Sequence, residues 1–554
     1  MARKPAARGA DATLDVAIIG AGHNGLVAAA YLAGAGLSVG VFERRAVVGG
    51  AAVTEEFAPG FRNSTASYTV SLLHPKVIRE LRLAEHGLRI VPRPMQNFLP
   101  LPGGDWLCAP AQLEALRVQV ARHSERDADR LPHWQAFIAE AAEVLRALML
   151  HTPPSDLAHW PDLWALLKWS RRLRRLPLAQ QRSIHELFTR SAGDVLDGWF
   201  ESPALKALYG FDAVVGNYAS PYTPGSAYVL LHHAIGEVNG RRGIWGHALG
   251  GMGAITQAMA AEARARGALI ETGAGVERVW IEDGRARGLT LYGGRRIRAH
   301  IVAANVNPRL LYLQMVEPQH LPGDFIASMQ RYRCASATFR MNVALSELPR
   351  FDATPPAAHA AGAQDHLSSG IILAPSLEYM DHAHAQARLQ GHSSAPIIEM
   401  VIPSTMDDSL APRGAHVASL FCQHFAPQLP HGGSWESARE PMARLIIDTV
   451  TQYAPNFARA VIAYSALSPA DLEQRFGLIG GDIFHGALGL DQLWAARPVL
   501  GYGDYRSPVP GLYLCGAGAH PGGGVTGLPG HNAARRMLQD WRARRSPMVR
   551  RHLR

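Results

Sequence analysis

The sequence has few thiols and few lysines. Its four cysteines, Cys108, Cys334, Cys422 and Cys515, lie far apart, and none forms a CxxC pair. That pattern excludes dithiol redox chemistry and the common cysteine zinc sites, so no metal is expected. Sparse thiols suit a reducing compartment, and the expected location is cytoplasmic. Lysine is confined to Lys4, Lys76, Lys168 and Lys206, so the net charge of +9 rests almost wholly on arginine. No apolar run reaches the ~18 residues of a transmembrane helix. The opening stretch carries Arg3, Lys4 and Arg8 but no apolar segment, which is not the pattern of a secretory signal. Residues 1–13 read as a flexible lead-in. No internal repeat is visible.

What is present is the composition of a globular protein, 47% hydrophobic and 18% charged. The 54 glycines and 37 prolines follow no period, so collagen-like and disordered readings do not fit. A chain of 554 residues exceeds one compact core, which implies two domains or one split domain with insertions.

The strongest local signal lies near the start. Asp15 to Ile19 is a short β-branched run, which reads as a buried parallel strand. Gly20-Ala21-Gly22-His23-Asn24-Gly25 follows at once, and a helix rich in Ala and Leu runs on to Ala35. A second strand, Ser38–Phe42, ends at Glu43, 23 residues after Gly20. Gly20 permits the tight turn, Gly22 admits a pyrophosphate close to the backbone, and Gly25 lets the helix pack on the strand. The helix N-terminus offers free N–H groups to the phosphates. Glu43 can accept hydrogen bonds from the adenosine ribose and disfavours a 2′-phosphate.

Two features select FAD among the dinucleotides. Gly49-Gly50 provides a second close approach a few residues after Glu43. The C-terminal end also carries a glycine-rich strand–turn–helix: Gly511–Gly516, then Ala517 to Gly527 with the run HPGGGVTG, then a helix over Asn532–Arg542. This pairing resembles the glutathione-reductase-type FAD/NAD(P)-binding fold in its phytoene desaturase and amine oxidase branch. The stretch Gly486 to Gly530, with Arg497-Pro498, Gly501-Tyr502 and Asp504-Tyr505-Arg506, resembles the phytoene-dehydrogenase-like subgroup. The likeness covers most of the chain.

The implied class is α/β: a discontinuous Rossmann-like FAD domain plus a mixed α+β substrate domain. The FAD domain is expected over 14–109, 236–310 and 476–543, and the substrate domain over 110–235 and 311–475. Strands are expected at Ala337–Leu345, Ile397–Ile402 and His416–Phe421, with a helix over Trp435–Tyr453. Asp283-Gly284 signals a hairpin turn. The resemblance implies that Val276 meets the adenine through its backbone. It further implies that Gly516, Gly518, His520 and Gly523 lie beside the flavin, bound non-covalently. Arg62, Ser64 and Tyr68 follow the Gly49-Gly50 pair and are expected to line it.

Leu166, Trp169, Leu173 and Leu176 share one helical face, and Lys168, Arg171, Arg172 and Arg175 the opposite one. Such a helix over 160–176 suits either an ordinary solvated surface or a peripheral membrane contact. The tail at 544–554 is arginine-rich and reads as a frayed end.

Flavin enzymes leave the redox step to the cofactor, so no catalytic triad is required. The resemblance makes His485 the candidate acid or base, Arg497 the stabiliser of charge at the flavin edge, and Tyr505 with Arg506 the groups that position substrate. It implies dehydrogenation or isomerisation of an apolar, polyene or isoprenoid-like molecule, with a hydride passing to flavin and a proton to a base or solvent. No second nucleotide fingerprint follows another strand, so the electron acceptor stays open. The expected partners are an apolar small molecule and that acceptor, with no nucleic acid. Two alternatives stand beside this reading. One is a flavin amine oxidase, although none of the four lysines sits where that branch places one. The other is a non-catalytic flavoprotein that binds a protein partner.

Overall fold

The computed structural model describes residues 13–155, 171, 174, 176–353, 355 and 365–545. The basic helix expected at 160–176 and the tail lie largely outside these residues. No helix among the described residues is long and apolar enough to cross a membrane.

The sheet that carries the glycine fingerprint is parallel at its heart. Its strands run in the order Leu269–Glu271, Val39–Phe42, Leu14–Ile19 and Arg296–Ala304, and Leu512–Leu514 adds beside the last. The registers pair Ile18 with Val41 and Ala303, and Ala303 in turn with Tyr513. Val16 to Ile19 are buried as a continuous run, because helices cover the sheet and leave no solvent face to alternate with. The sheet therefore joins three remote parts of the chain, as the two glycine-rich ends require. Helices His23–Gly34, Met252–Ala265 and Leu528–Arg545 pack together against it. The contact is close: a side chain at Gly530 would stand 2.1 Å from the Asn24 carbonyl.

The first half of Arg296–Ala304 also pairs antiparallel with Arg285–Leu291, which pairs with Val276–Glu282. Asp283 and Gly284 both have positive φ, +51° and +66°. Two such residues form the two-residue turn whose twist matches paired strands.

A second sheet of seven strands belongs to the insertions. Its order is Val461–Leu467, Phe339–Leu345, His416–Phe425, His392–Val401, Gly370–Leu373, Asn97–Pro100 and Trp106–Ala109. The last two strands fall inside the segment expected to belong wholly to the FAD domain. Phe98 and Leu99 are fully buried and pair with Cys108 and Leu107, and Asn97 and Phe98 pair with Gly370 and Ile371. Their sheet partners thus place 97–109 with the second sheet. Helix Trp435–Tyr453 has the expected bounds. Helices Glu125–Met149, Leu178–Thr189, Ala192–Trp199, Pro203–Val214 and Ser226–Ala234 form the helical part.

Candidate functional site

A cavity of about 500 Å³ opens at the C-terminal edge of the parallel sheet and extends beneath the second sheet, the place where open α/β sheets bind ligands. Glu43, Arg44, Val276, Glu277 and Tyr292 line one part of it. Gly20, Gly22, Asn24, Gly50 and Asn305 line a second. Tyr68, Val215, His233, Trp245, Phe421, Phe484, His485 and Val525 line a third.

Glu43 is buried, and its carboxylate accepts the Ala21 N–H at 2.8 Å and the Arg45 N–H at 2.9 Å. It therefore braces the glycine turn as well as facing the cavity. Gly49 donates its N–H to the Ala21 carbonyl at 2.9 Å and so ties the two glycine segments together, while Gly50 faces the cavity. A side chain at Gly25 would stand 2.3 Å from the Gly20 carbonyl, so Gly25 packs helix on turn, as expected. Helix His23–Gly34 has no side-chain cap. With the Asn305 amide oriented oxygen-inward, it accepts from Gly22 at 3.3 Å and Gly25 at 3.2 Å.

These residues fit FAD. Both amide atoms of buried Asn24, one guanidinium nitrogen of Arg45 and a ring nitrogen of His23 have no protein partner, and all three residues line the cavity. A helix N-terminus, an arginine and a side-chain-free approach at Gly22 and Gly50 together suit a pyrophosphate. Buried polar groups of this kind are costly unless a ligand or water satisfies them.

At the opposite end the cavity wall is mostly apolar and aromatic. His485 faces it at the tip of a tightly held turn. Its φ is +57°. Asp482 accepts the N–H groups of Phe484 and Gly486 at 2.8 and 2.9 Å, and the Tyr332 hydroxyl donates to the His485 carbonyl at 3.0 Å. Burial lowers the His485 ring to about 3 and the His23 ring to about 4. Both are neutral at ordinary pH, and His485 is too weakly basic to be an effective proton acceptor.

Several residues expected at the flavin lie elsewhere. Arg497 is fully buried and does not line the cavity. It donates to the carbonyls of Phe484 at 2.7 Å, Ala517 at 2.8 Å and Gln492 at 3.1 Å, which binds the His485 turn to the C-terminal glycine turn. Tyr505 is buried in the core, away from the cavity lining. Arg506 pairs with Asp504 and Asp540. His520 meets the Leu148 carbonyl at 3.1 Å and packs edge-on to Trp494 at 4.8 Å; it is likewise outside the lining. Gly516, Gly518 and Gly523 allow close contact with Asn305, Pro308 and Phe484, while Ala517, Gly524 and Val525 are the residues that face inward. Arg62 is exposed, and the Ser64 hydroxyl accepts the Met252 N–H at 2.9 Å. Tyr68 does line the cavity. Sequence reading passed over Asn305, Phe421, His233 and Trp245; only His23 and Asn24 carried a signal, by lying inside the fingerprint.

Comparison with known proteins agrees with this geometry. The family described as "Flavin containing amine oxidoreductase" matches residues 25–339. The chain is 41% identical over 544 residues to pyridine nucleotide-disulfide oxidoreductase domain-containing protein 2 of Rattus norvegicus, covering 95% of this chain and 93% of that one. It is 25% identical to a limonene dehydrogenase subunit of Castellaniella defragrans, covering 95% and 94%. Among solved structures, putrescine oxidase bound to putrescine aligns with a TM-score of 0.59 at 17% identity, covering 96% of this chain and all of that one. That last likeness speaks to the fold.

Proposed function

Starting from the fact that the chain belongs to the flavin-containing amine oxidoreductase family, we propose that it oxidises an apolar, isoprenoid-like hydrocarbon by dehydrogenation. Its cofactor is FAD, and the protein is an FAD-dependent oxidoreductase. When bound, FAD supplies the two-electron oxidation. The chain's own residues hold and seal the site. Glu43, Gly22, Gly50 and Arg45 suit the adenosine and pyrophosphate, and the wall formed by Val215, Trp245, Phe421, Phe484 and Val525 excludes water from the reacting end.

The observation that carries the substrate class is that wall, made chiefly of apolar and aromatic side chains. Such a surface favours a ligand that gains by leaving water. The limonene dehydrogenase relative, similar along nearly the whole chain, supports a hydrocarbon. Against an amine substrate, neither described lysine reaches the cavity: Lys76 pairs with Glu80, and Lys206 with Asp197.

The test is anaerobic reduction. Purified yellow protein is mixed with limonene or a detergent-dispersed polyene, and separately with putrescine. Bleaching by the hydrocarbon supports the proposal. Bleaching by putrescine alone replaces it with amine oxidation. No bleaching by either favours a flavoprotein that acts by binding a partner.

A further inference from the structure

Beside the apolar wall lies a group of buried charges distinct from the residues assigned to the adenosine and pyrophosphate. The Tyr68 ring stacks on Phe421, centroids 5.4 Å apart at 26°, and its hydroxyl donates to the Glu399 carboxylate. Glu399, on strand His392–Val401, is 5% exposed, and its other oxygen faces Arg93 Nη1 at 3.5 Å. Arg93 donates to the Thr69 hydroxyl at 2.8 Å. Arg340 lies 4.5 Å from the Tyr68 ring centre and donates to Ser419 at 2.6 Å. These groups come from the strands and loops around Tyr68, and burying charges in an apolar region is costly even when they are paired.

We propose that Tyr68 and Glu399 form the proton-accepting pair of the reaction, Tyr68 meeting the substrate and Glu399 retaining the proton. This rests on the reading of the protein as a dehydrogenase acting on C–H bonds. Two such bonds break at neighbouring carbons. One hydrogen leaves with its electron pair, as hydride, to the oxidised flavin. The electron pair of the other becomes the new double bond. Its proton passes to the Tyr68 oxygen while the phenolic proton passes to Glu399, so tyrosine ends unchanged and the glutamate ends protonated.

The surroundings agree with this division of labour. Glu399 does not line the cavity, whereas Tyr68 does. Burial and the Glu399 charge hold the Tyr68 phenol well above its ordinary range, so tyrosine relays the proton and does not store negative charge. Asp212, half-buried nearby, is raised to about 8 by burial and then by Glu399, which favours its protonated form at neutral pH. His485 and His233 also line this end; burial lowers their rings to about 3 and about 4, which makes both weak bases.

The test uses FAD-loaded wild type, Tyr68→Phe and Glu399→Gln, each checked for FAD content and thermal stability. Anaerobic reduction by limonene is followed in H₂O and D₂O. Both variants are expected to keep FAD and to reduce it about 10²–10⁴-fold more slowly, and the solvent isotope effect of wild type should vanish in Tyr68→Phe. Reduction within about twofold of wild type in either variant overturns the pair. If limonene leaves wild type oxidised and putrescine reduces it, the hydrocarbon reading fails and the pair is judged on putrescine in the same proteins. If neither reduces wild type, both fall. A readout without turnover is the infrared carboxylate band that Glu399→Gln removes: it should shift in Tyr68→Phe, and an unshifted band overturns the shared proton.

Discussion

The Arg497 guanidinium donates to the Phe484 carbonyl at 2.7 Å, one residue before the histidine that faces the cavity. The same side chain holds Ala517 and Gln492 and does not itself line the cavity. Its work is to position the His485 turn. Replacing it by methionine leaves several buried carbonyls without donors, and the expected loss is about 3–5 kcal/mol of folding stability. Denaturant unfolding of apoprotein and holoprotein should show the loss in both. A loss confined to the holoprotein would return Arg497 to a direct role at the flavin.

Gly20, Gly22, Gly25 and Glu43 were legible in the sequence because the nucleotide fingerprint is local: strand, turn and helix follow one another within about 30 residues; Val276, remote from that motif, was reached only through the family resemblance. The C-terminal turn was found as a motif but not residue by residue. Gly516, Gly518 and Gly523 turn toward the protein, and Ala517, Gly524 and Val525 toward the cavity. Composition does not determine which side of an irregular turn each residue presents. Tyr68, Arg93 and Glu399 meet only after the second sheet has formed over the first, and no spacing in the chain encodes that meeting. The strand pair at 97–109 was assigned to the wrong layer for the same reason: its pattern marks a strand and leaves its partner open.

Gly22 has an ordinary φ of −70°, so alanine fits its backbone without strain. The added methyl would stand 2.9 Å from the Asn305 amide and 4.0 Å from the Gly50 backbone, in the space the phosphates need. Gly22→Ala should keep its fold by circular dichroism and bind FAD about 10–100-fold more weakly, a cost of about 1.4–2.7 kcal/mol. Titrating apoprotein with FAD and following flavin fluorescence checks this. Unchanged affinity would mean that the cofactor does not cross this turn.

Buried histidines should make the protein sensitive to acid. Burial lowers His520 to about 3, against about 6.5 in an unfolded chain. Below about 6.5 the unfolded state takes a proton that the folded state refuses, so stability is whole above that pH and falls steadily toward about 3. One such group contributes about 1.4 kcal/mol per pH unit. His232, lowered to about 3, and His233, lowered to about 4, act in the same direction. Glutamine at 520 can still donate to the Leu148 carbonyl but does not titrate. In urea unfolding between about pH 6 and pH 4, the slope of stability against pH should be lower in His520→Gln by about 1.4 kcal/mol per unit. An unchanged slope would show that His520 is protonated in the folded protein.

Gly370 leaves the gap in which Glu399 and Arg93 meet. A side chain there would stand 2.5 Å from the Glu399 carboxylate, 2.7 Å from the Arg93 guanidinium and 2.9 Å from the Asn97 amide. Both members of the ion pair are held by their own strands and loops and have little freedom to retreat, so Gly370→Ala should push them apart. Crowding a packed site costs about 1–3 kcal/mol, and thermal unfolding should show it. Gly370 is not part of the cavity lining, so FAD affinity should stay within about twofold of wild type. Flavin reduction should slow as in Glu399→Gln, because Tyr68 loses a correctly placed acceptor. The reverse pattern, full reduction rate with weakened FAD, would place the strain on the nucleotide site and remove the connection between Gly370 and proton transfer.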